Sequence, residues 1–186
     1  MTQPCAPAPV LAGQSILLRP PVPADADARL DQGRWPEIYR QFGVDAASLG
    51  PLTHAGVAAW LETLAASPTA WVIAYADDRF LGEICLRDLN PADANARLGI
   101  ALYHPGLLGR GIGRAAIRAL MPHAFGLLGL HRLSLRVLAT NDRAIRCYRA
   151  CGFVTEGRER ESARVDGLWI DDLIMGCLVY EARLAD

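Results

Sequence analysis

From Trp71 to Tyr103 the apolar residues come in short blocks, and beyond Arg114 they fall twice into helical spacing. Trp71 to Ala76 and Phe80 to Leu86 read as two strands around an Asp77-Asp78 hairpin turn, with Leu98 to Tyr103 as a third strand after a polar loop, Asp88 to Asn95. Arg114 to Leu128 has helical periodicity, and Pro122 inside it is expected to bend the helix by removing a backbone donor. Leu133, Leu135 and Val137 alternate with Arg132, Ser134 and Arg136, the period of a strand with one buried face. Asn141 is placed to cap a helix reaching Ala150 or Cys151, and Gly152 suits its stop.

Earlier in the chain, Gln14 to Arg19 predicts a strand and Ala24 to Leu30 a short helix, while Trp35 to Phe42 has no clear period. Thr53 caps a predicted helix from His54 to Ala66 with Val57, Trp60, Leu61 and Leu64 on one face. Two closing strands are predicted, Phe153 to about Gly157 and Trp169 to Tyr180, with the charged run Arg158 to Glu161 as a solvated hairpin arm between them. An antiparallel start followed by strand–helix–strand–helix–strands indicates a mixed α/β sheet. Residues 1–13, rich in Pro and Ala, read as a loose arm, and residues 14–186 as a single domain.

Composition narrows the function classes. Formal net charge is −1 and 52% of residues are hydrophobic, which argues against disorder and against a nucleic-acid surface. Every one of the 19 basic residues is arginine. The 5 cysteines form no CxxC pair, so buried free thiols are expected rather than a disulfide framework or a metal site, even for Cys147 and Cys151, one helical turn apart. No signal-peptide pattern and no membrane-length apolar run is visible, and a cytoplasmic location is the expectation.

The segment Leu102 to Gly113 joins a strand to a helix through a glycine-rich loop, a geometry in which backbone N–H groups and a helix N-terminus can hold an anion. A ligand-free tight turn explains that segment alone equally well. Some thirty residues on, Asn141-Asp142-Arg143-Ala144-Ile145-Arg146-Cys147-Tyr148-Arg149-Ala150-Cys151-Gly152-Phe153 follows. Together the two segments closely resemble the GNAT superfamily of acetyl-CoA-dependent N-acetyltransferases, whose loop reads (Arg/Gln)-x-x-Gly-x-(Gly/Ala) and whose helix reads Asn-x-x-Ala-x-x-x-Tyr-x-x-x-Gly-Phe. The resemblance covers about Gln14 to Tyr180. Glu156-Gly157, Arg160-Glu161 and Gly167 to Asp171 are similar to the branch holding ribosomal-protein N-terminal acetyltransferases and some aminoglycoside and polyamine acetyltransferases. Departures are Leu108 at the loop's Arg/Gln position, Ala115 where this branch often has Glu, and Pro122.

The resemblance implies a mostly antiparallel twisted sheet, flanked by helices, whose two central strands splay apart around acetyl-CoA. It implies cofactor contacts from Ala101, Leu102 and Tyr103, from Leu108, Gly109, Arg110, Gly111, Ile112, Gly113 and Arg114, and from Asn141, Arg143, Ala144, Arg146 and Tyr148. It also implies attack of a free amine on the thioester. An alkylammonium must first lose its proton, and Glu83 is the leading base, with Asp88 and His104 as alternatives. Tyr148, two turns after Asn141, is the expected acid for the departing thiolate.

For the acceptor, Trp35, Glu37, Tyr39, Trp169 and Asp171 are the candidate contacts, since acids with interspersed aromatics suit a small cationic amine. The leading expectation is an aminoglycoside-type antibiotic, hence resistance. The alternative is N-terminal acetylation of a protein, or acetylation of a polyamine, and a non-catalytic acyl-CoA sensor stands third. Among partners, a homodimer is allowed, while nucleic acid and membrane are not expected.

Overall fold

The computed structural model describes residues 11–12 and 16–182, so the expected N-terminal arm lies almost wholly outside the described residues. Its last part departs from that expectation, because Leu11–Ala12 (β1) pairs antiparallel with β2, Ile16–Arg19. Helices α1 (Ala24–Asp31), α2 (Pro36–Arg40) and α3 (His54–Ala65) follow, and the Thr53 hydroxyl accepts from the Gly56 N–H as the sequence indicates. Trp35 to Phe42 is therefore partly helical, with Pro36 in the first helical position, where its missing N–H costs nothing.

The sheet continues with β3 (Ala70–Tyr75), β4 (Phe80–Asn90) and β5 (Asn95–Leu102). The polar loop between β4 and β5 is shorter than expected, because both strands extend into it; polar side chains on one face of the ladder are no bar to pairing. Helix α4 (Ile112–Met121) runs into Pro122, and the chain answers with a π-helical turn, Pro122–Leu127, closed by Leu128 N–H to His123 C=O at 2.9 Å. Strand β6 (Arg132–Leu138), helix α5 (Asp142–Ala150), β7 (Val154–Val165) and β8 (Leu168–Leu178) complete the chain.

The last hairpin corrects the sequence reading. Arg158 to Glu161 is not an arm between strands but the middle of β7, which is exposed along nearly its whole length. The turn is Asp166-Gly167, both with positive φ, the Asp-Gly pair that favours a tight hairpin.

All eight strands form one sheet in the order β1-β2-β3-β4-β5-β6-β8-β7, antiparallel everywhere except between β5 and β6. Alternation along the strands divides the core into two layers. Trp71, Ile73, Ile84, Leu86, Leu133 and Leu135 meet Ile117, Leu120 and Met121 of α4 and Ile145 of α5 on one face. Val72, Ala74, Cys85 and Tyr103 meet Leu64 and Trp60 of α3 on the other. A buried ion pair ties α1 to this second face: Arg19 donates two bonds of 2.8 Å to the Asp25 carboxylate and a further one to Asp78 at the β3–β4 turn.

Gly82 shows how tightly β4 and β5 are joined. A Cβ there would lie 2.1 Å from the Ala101 carbonyl oxygen, and backbone cannot yield as a flexible side chain can. Gly82→Ala is expected to destabilise the fold by about 3 kcal/mol, read as a lower denaturation midpoint. An unchanged midpoint would mean that the ladder relaxes there freely.

Candidate active site

The β5–β6 junction makes the opening. Parallel pairing joins Asn95, Ala96 and Arg97 to Arg132, Leu133 and Ser134, and then stops, although β5 runs on to Leu102 and β6 to Leu138. One edge of β5 from Leu98 to Leu102 is thus left without a neighbouring strand, and backbone groups on that edge can serve a ligand. A cavity of about 1170 Å³ occupies this region.

One part of its lining comes from the loop before α4 and from α5. Gly109 and Gly111 adopt left-handed φ of 73° and 80°, which only glycine takes without strain. They turn the chain so that α4 starts with no side-chain cap, leaving the free N–H groups of its first turn and its positive end toward the cavity. Leu108, Gly109, Gly111, Ile112, Gly113 and Arg114 line the cavity, whereas Arg110 is exposed and outside the lining. From α5 and its cap come Asn141, Arg143, Ala144, Arg146, Cys147 and Tyr148. Asn141 Oδ1 accepts from the Ala144 N–H at 3.2 Å and its amide donates to the Gln41 carbonyl at 3.5 Å, so the side chain fastens α5 as well as facing the cavity. Tyr148 packs edge-on against Phe153, and burial raises its phenol pKa.

The rest of the lining comes from α1, α2, α3 and their connecting loops, the β4–β5 ladder, β6, β7 and Asp172 of β8. Glu83 on β4 lies opposite Ala101 and accepts a hydrogen bond from the Trp60 indole N–H. Beside it, burial first and the Glu83 charge second raise the Tyr103 phenol pKa well above its ordinary value. Arg29 lies 3.8 Å above the Tyr103 ring and donates to the Tyr39 hydroxyl and the Gly33 carbonyl. It is only 3% exposed, and no carboxylate contacts it among the described residues.

Of the five acceptor candidates, Tyr39 lines the cavity. Trp35 packs on His104, Glu37 is exposed, Trp169 carries Arg164 over its ring, and Asp171 accepts from Arg158 and the Glu161 N–H; none of these four is in the lining. The two alternative bases lie elsewhere as well. Asp88 pairs with Arg97 at the exposed end of β4, and His104 Nδ1 accepts from the Gly106 N–H.

The charge of the lining was not anticipated from composition. Arg29, Arg34, Arg87, Arg97, Arg136 and Arg164 join Arg114, Arg143 and Arg146, against Glu83 and Asp172 alone. Period-two alternation could have placed Arg87 on the face of Glu83, but an arginine near a strand end reads first as solvated.

Cys147 adds a thiol to the part of the cavity wall formed by α5. Its sulfur lies 3.5 Å from the point where a Cβ on Gly113 would sit, and a hydrogen bond from the Cys151 thiol lowers its pKa against the opposing effect of burial. Iodoacetamide is expected to modify Cys147 before Cys85, Cys151 or Cys177, and coenzyme A to slow that modification at least fivefold (about 1 kcal/mol of occupancy). Peptide mapping checks both, and modification indifferent to coenzyme A would place the thiol outside the occupied site.

Residues 15–154 match the family model of the acetyltransferase (GNAT) domain. The chain belongs to the GNAT acetyltransferase family. Acetyl-CoA is the acetyl donor of that family, and the open edge of β5, the uncapped α4 and Arg114, Arg143 and Arg146 fit its pantetheine and phosphate groups. Spermidine N(1)-acetyltransferase of Vibrio cholerae is 30% identical over 101 residues, 54% of this chain and 58% of that protein. A Bacillus subtilis protein bearing the name "Putative ribosomal N-acetyltransferase YdaF" is 30% identical over 108 residues, 58% of this chain and 55% of its own. The match thus spans just over half the length of these curated relatives.

Solved structures extend the likeness of fold to the whole domain. The V. cholerae spermidine N-acetyltransferase crystallised with CoA and spermine superposes with a TM-score of 0.75 over 89% of this chain and 96% of that one, at 21% identity. A GNAT-family acetyltransferase of Bacillus anthracis gives 0.79 over 92% and 99%, at 14% identity. Among the described residues no helix is long and apolar enough to cross a membrane.

Proposed function

We propose that this chain transfers the acetyl group of acetyl-CoA to the α-amino group of a polypeptide N-terminus. The observation that carries this reading is the charge around Glu83. A polyamine or aminoglycoside brings several ammonium groups and needs several carboxylates to hold them. Here Asp172 is already bound by Arg136, which leaves Glu83 as the lining carboxylate without an arginine contact. One ammonium suits one carboxylate; a polycation would meet the arginines. The relatives' names support the second of the two acceptor expectations over the aminoglycoside, and the arginines favour its N-terminal form over its polyamine form.

In this reading acetyl-CoA supplies a thioester acetyl group, and the chain's residues manage the protons. Glu83, oriented by the Trp60 N–H, takes the proton from the α-ammonium, directly or through one water. That task is modest, because an α-amine has a pKa of about 8 and a fair fraction is neutral near pH 7. Backbone N–H groups on the open edge of β5 are placed to stabilise developing negative charge on the carbonyl oxygen. Tyr148 then donates its phenolic proton to the sulfur.

Thiol release should be followed with N-terminal peptides, spermidine and an aminoglycoside at equal concentration. Peptides are expected to turn over, the polycations at least tenfold more slowly (about 1.4 kcal/mol). Turnover of spermidine alone would overturn the peptide reading.

A further inference from the structure

The side chains of Glu83, Cys85 and Arg87 alternate onto one face of β4, and those of Arg97 and Ala101 onto the same face of β5, with Gly99 between them. Arg87 and Arg97 are directly opposite each other in this ladder. Like charges in that relation destabilise a sheet, and here both side chains are exposed at the cavity wall.

Their own partners do not cancel the charge. Arg97 meets Asp88 at 3.6 Å in a pair that is exposed on both sides, a contact of little strength. Arg87 donates from Nε to the Cys85 sulfur at 3.1 Å and contacts no carboxylate among the described residues. Arg136, the next arginine on this face, is taken by Asp172 and Glu159.

The Cys85 contact also sets where Arg87 points. It draws the guanidinium back along the strand and over Gly99, where a Cβ would lie 3.5 Å from Nε and 3.6 Å from Cζ. The charge therefore sits one same-face residue from the level of Glu83 and Ala101, about 7 Å by strand rise. Glycine at 99 is what admits it, because a side chain there would crowd the Cys85 sulfur, 3.0 Å from its Cβ, and the guanidinium.

We propose that Arg87 and Arg97 form an anion subsite of the acceptor pocket, so that the preferred acceptor is an α-amine carrying a carboxylate a few ångströms away, as in a polypeptide that begins with an acidic segment. This rests on the N-terminal reading above: Glu83 takes the amine and the arginine pair takes the carboxylate. A free acidic amino acid presents the same two groups, and the experiment separates it from a peptide.

The test compares kcat/KM for three peptides that differ at their second residue, Glu, Gln or Lys, together with free glutamate and spermidine. The wild-type chain is expected to favour Glu over Gln by about tenfold or more, the usual worth of a charge-assisted contact, and Gln over Lys. In Arg87→Gln and in Arg97→Gln the Glu-to-Gln ratio should fall toward one, and Arg97→Glu should reverse it. Neither glutamine variant should melt below wild type, since each removes a like-charge contact; a melting curve thus separates lost recognition from lost fold.

Equal rates for the Glu and Gln peptides, or a ratio unmoved by either variant, would overturn the subsite while leaving N-terminal transfer intact. Turnover of spermidine with no turnover of any carboxylate-bearing acceptor would overturn both. Turnover of free glutamate with none of the peptides would uphold the arginine pair and reject the polypeptide.

Discussion

Replacing Tyr148 with phenylalanine is expected to lower kcat by about one to three orders of magnitude, the range of general acid catalysis, while acetyl-CoA affinity stays within about twofold. The ring still packs on Phe153 in the variant, and only the proton donor is lost. The pH dependence follows from burial, which makes the phenolate costly and raises the pKa above the ordinary value of 10. Tyr148 therefore stays protonated through pH 10, and its ionisation should produce no alkaline fall in kcat below that. Stability follows the same sign. Because the folded state holds this proton more tightly than the unfolded state, the contribution is fully present below pH 10 and is lost as pH rises through the folded value. A full-rate Tyr148→Phe variant would show that the thiolate leaves without an acid from this residue.

Glu83→Gln is expected to cost about two to four orders of magnitude in kcat near neutral pH. The amide oxygen can still accept from the Trp60 indole, so the side chain stays in place and the fold should be unaltered. What it loses is the ability to take a proton. The deficit should shrink as pH rises past the acceptor's own pKa, because more amine then arrives neutral. A deficit that is constant from pH 6 to 9.5 would assign Glu83 to binding instead, and a small deficit throughout would leave the proton to water.

The sequence carried much of this fold because the sheet is built from period-two blocks and the helices have clean caps. Thr53 and Asn141 cap the helices that their positions indicate, and the gap beside β5 follows from the family resemblance. The last hairpin was misread because its charges alternate on an exposed strand, where burial gives no hydrophobic period, although Asp166-Gly167 was a legible turn. Pro122 is expected to interrupt the helix, and α4 ends before it and continues as a π-helical turn, with Met121 and Ala124 buried in the core on either side.

Legibility at the site followed the same line. Residues tied to a motif, from Leu108 to Tyr148, are brought to one cavity, apart from Arg110. Acceptor residues obey no motif, and their selection from acids and aromatics brought only Tyr39 to the lining. The arginines that replace them there are revealed by register: Arg87 faces Arg97 only once β4 and β5 are paired as Glu83 with Ala101. Long-range pairing is what a linear pattern states least well.

The central claim, transfer to an α-amine managed by Glu83 and Tyr148, is tested most directly by locating the acetyl group on the product. A peptide with a free N-terminus, an acidic second residue and one internal lysine should be incubated with acetyl-CoA and sequenced by tandem mass spectrometry. The acetyl group is expected on the α-nitrogen alone with the wild-type chain, and the Glu83→Gln/Tyr148→Phe double variant should leave the peptide unmodified over the same interval. Acetylation of the lysine side chain, or equal α-acetylation by the double variant, would contradict it.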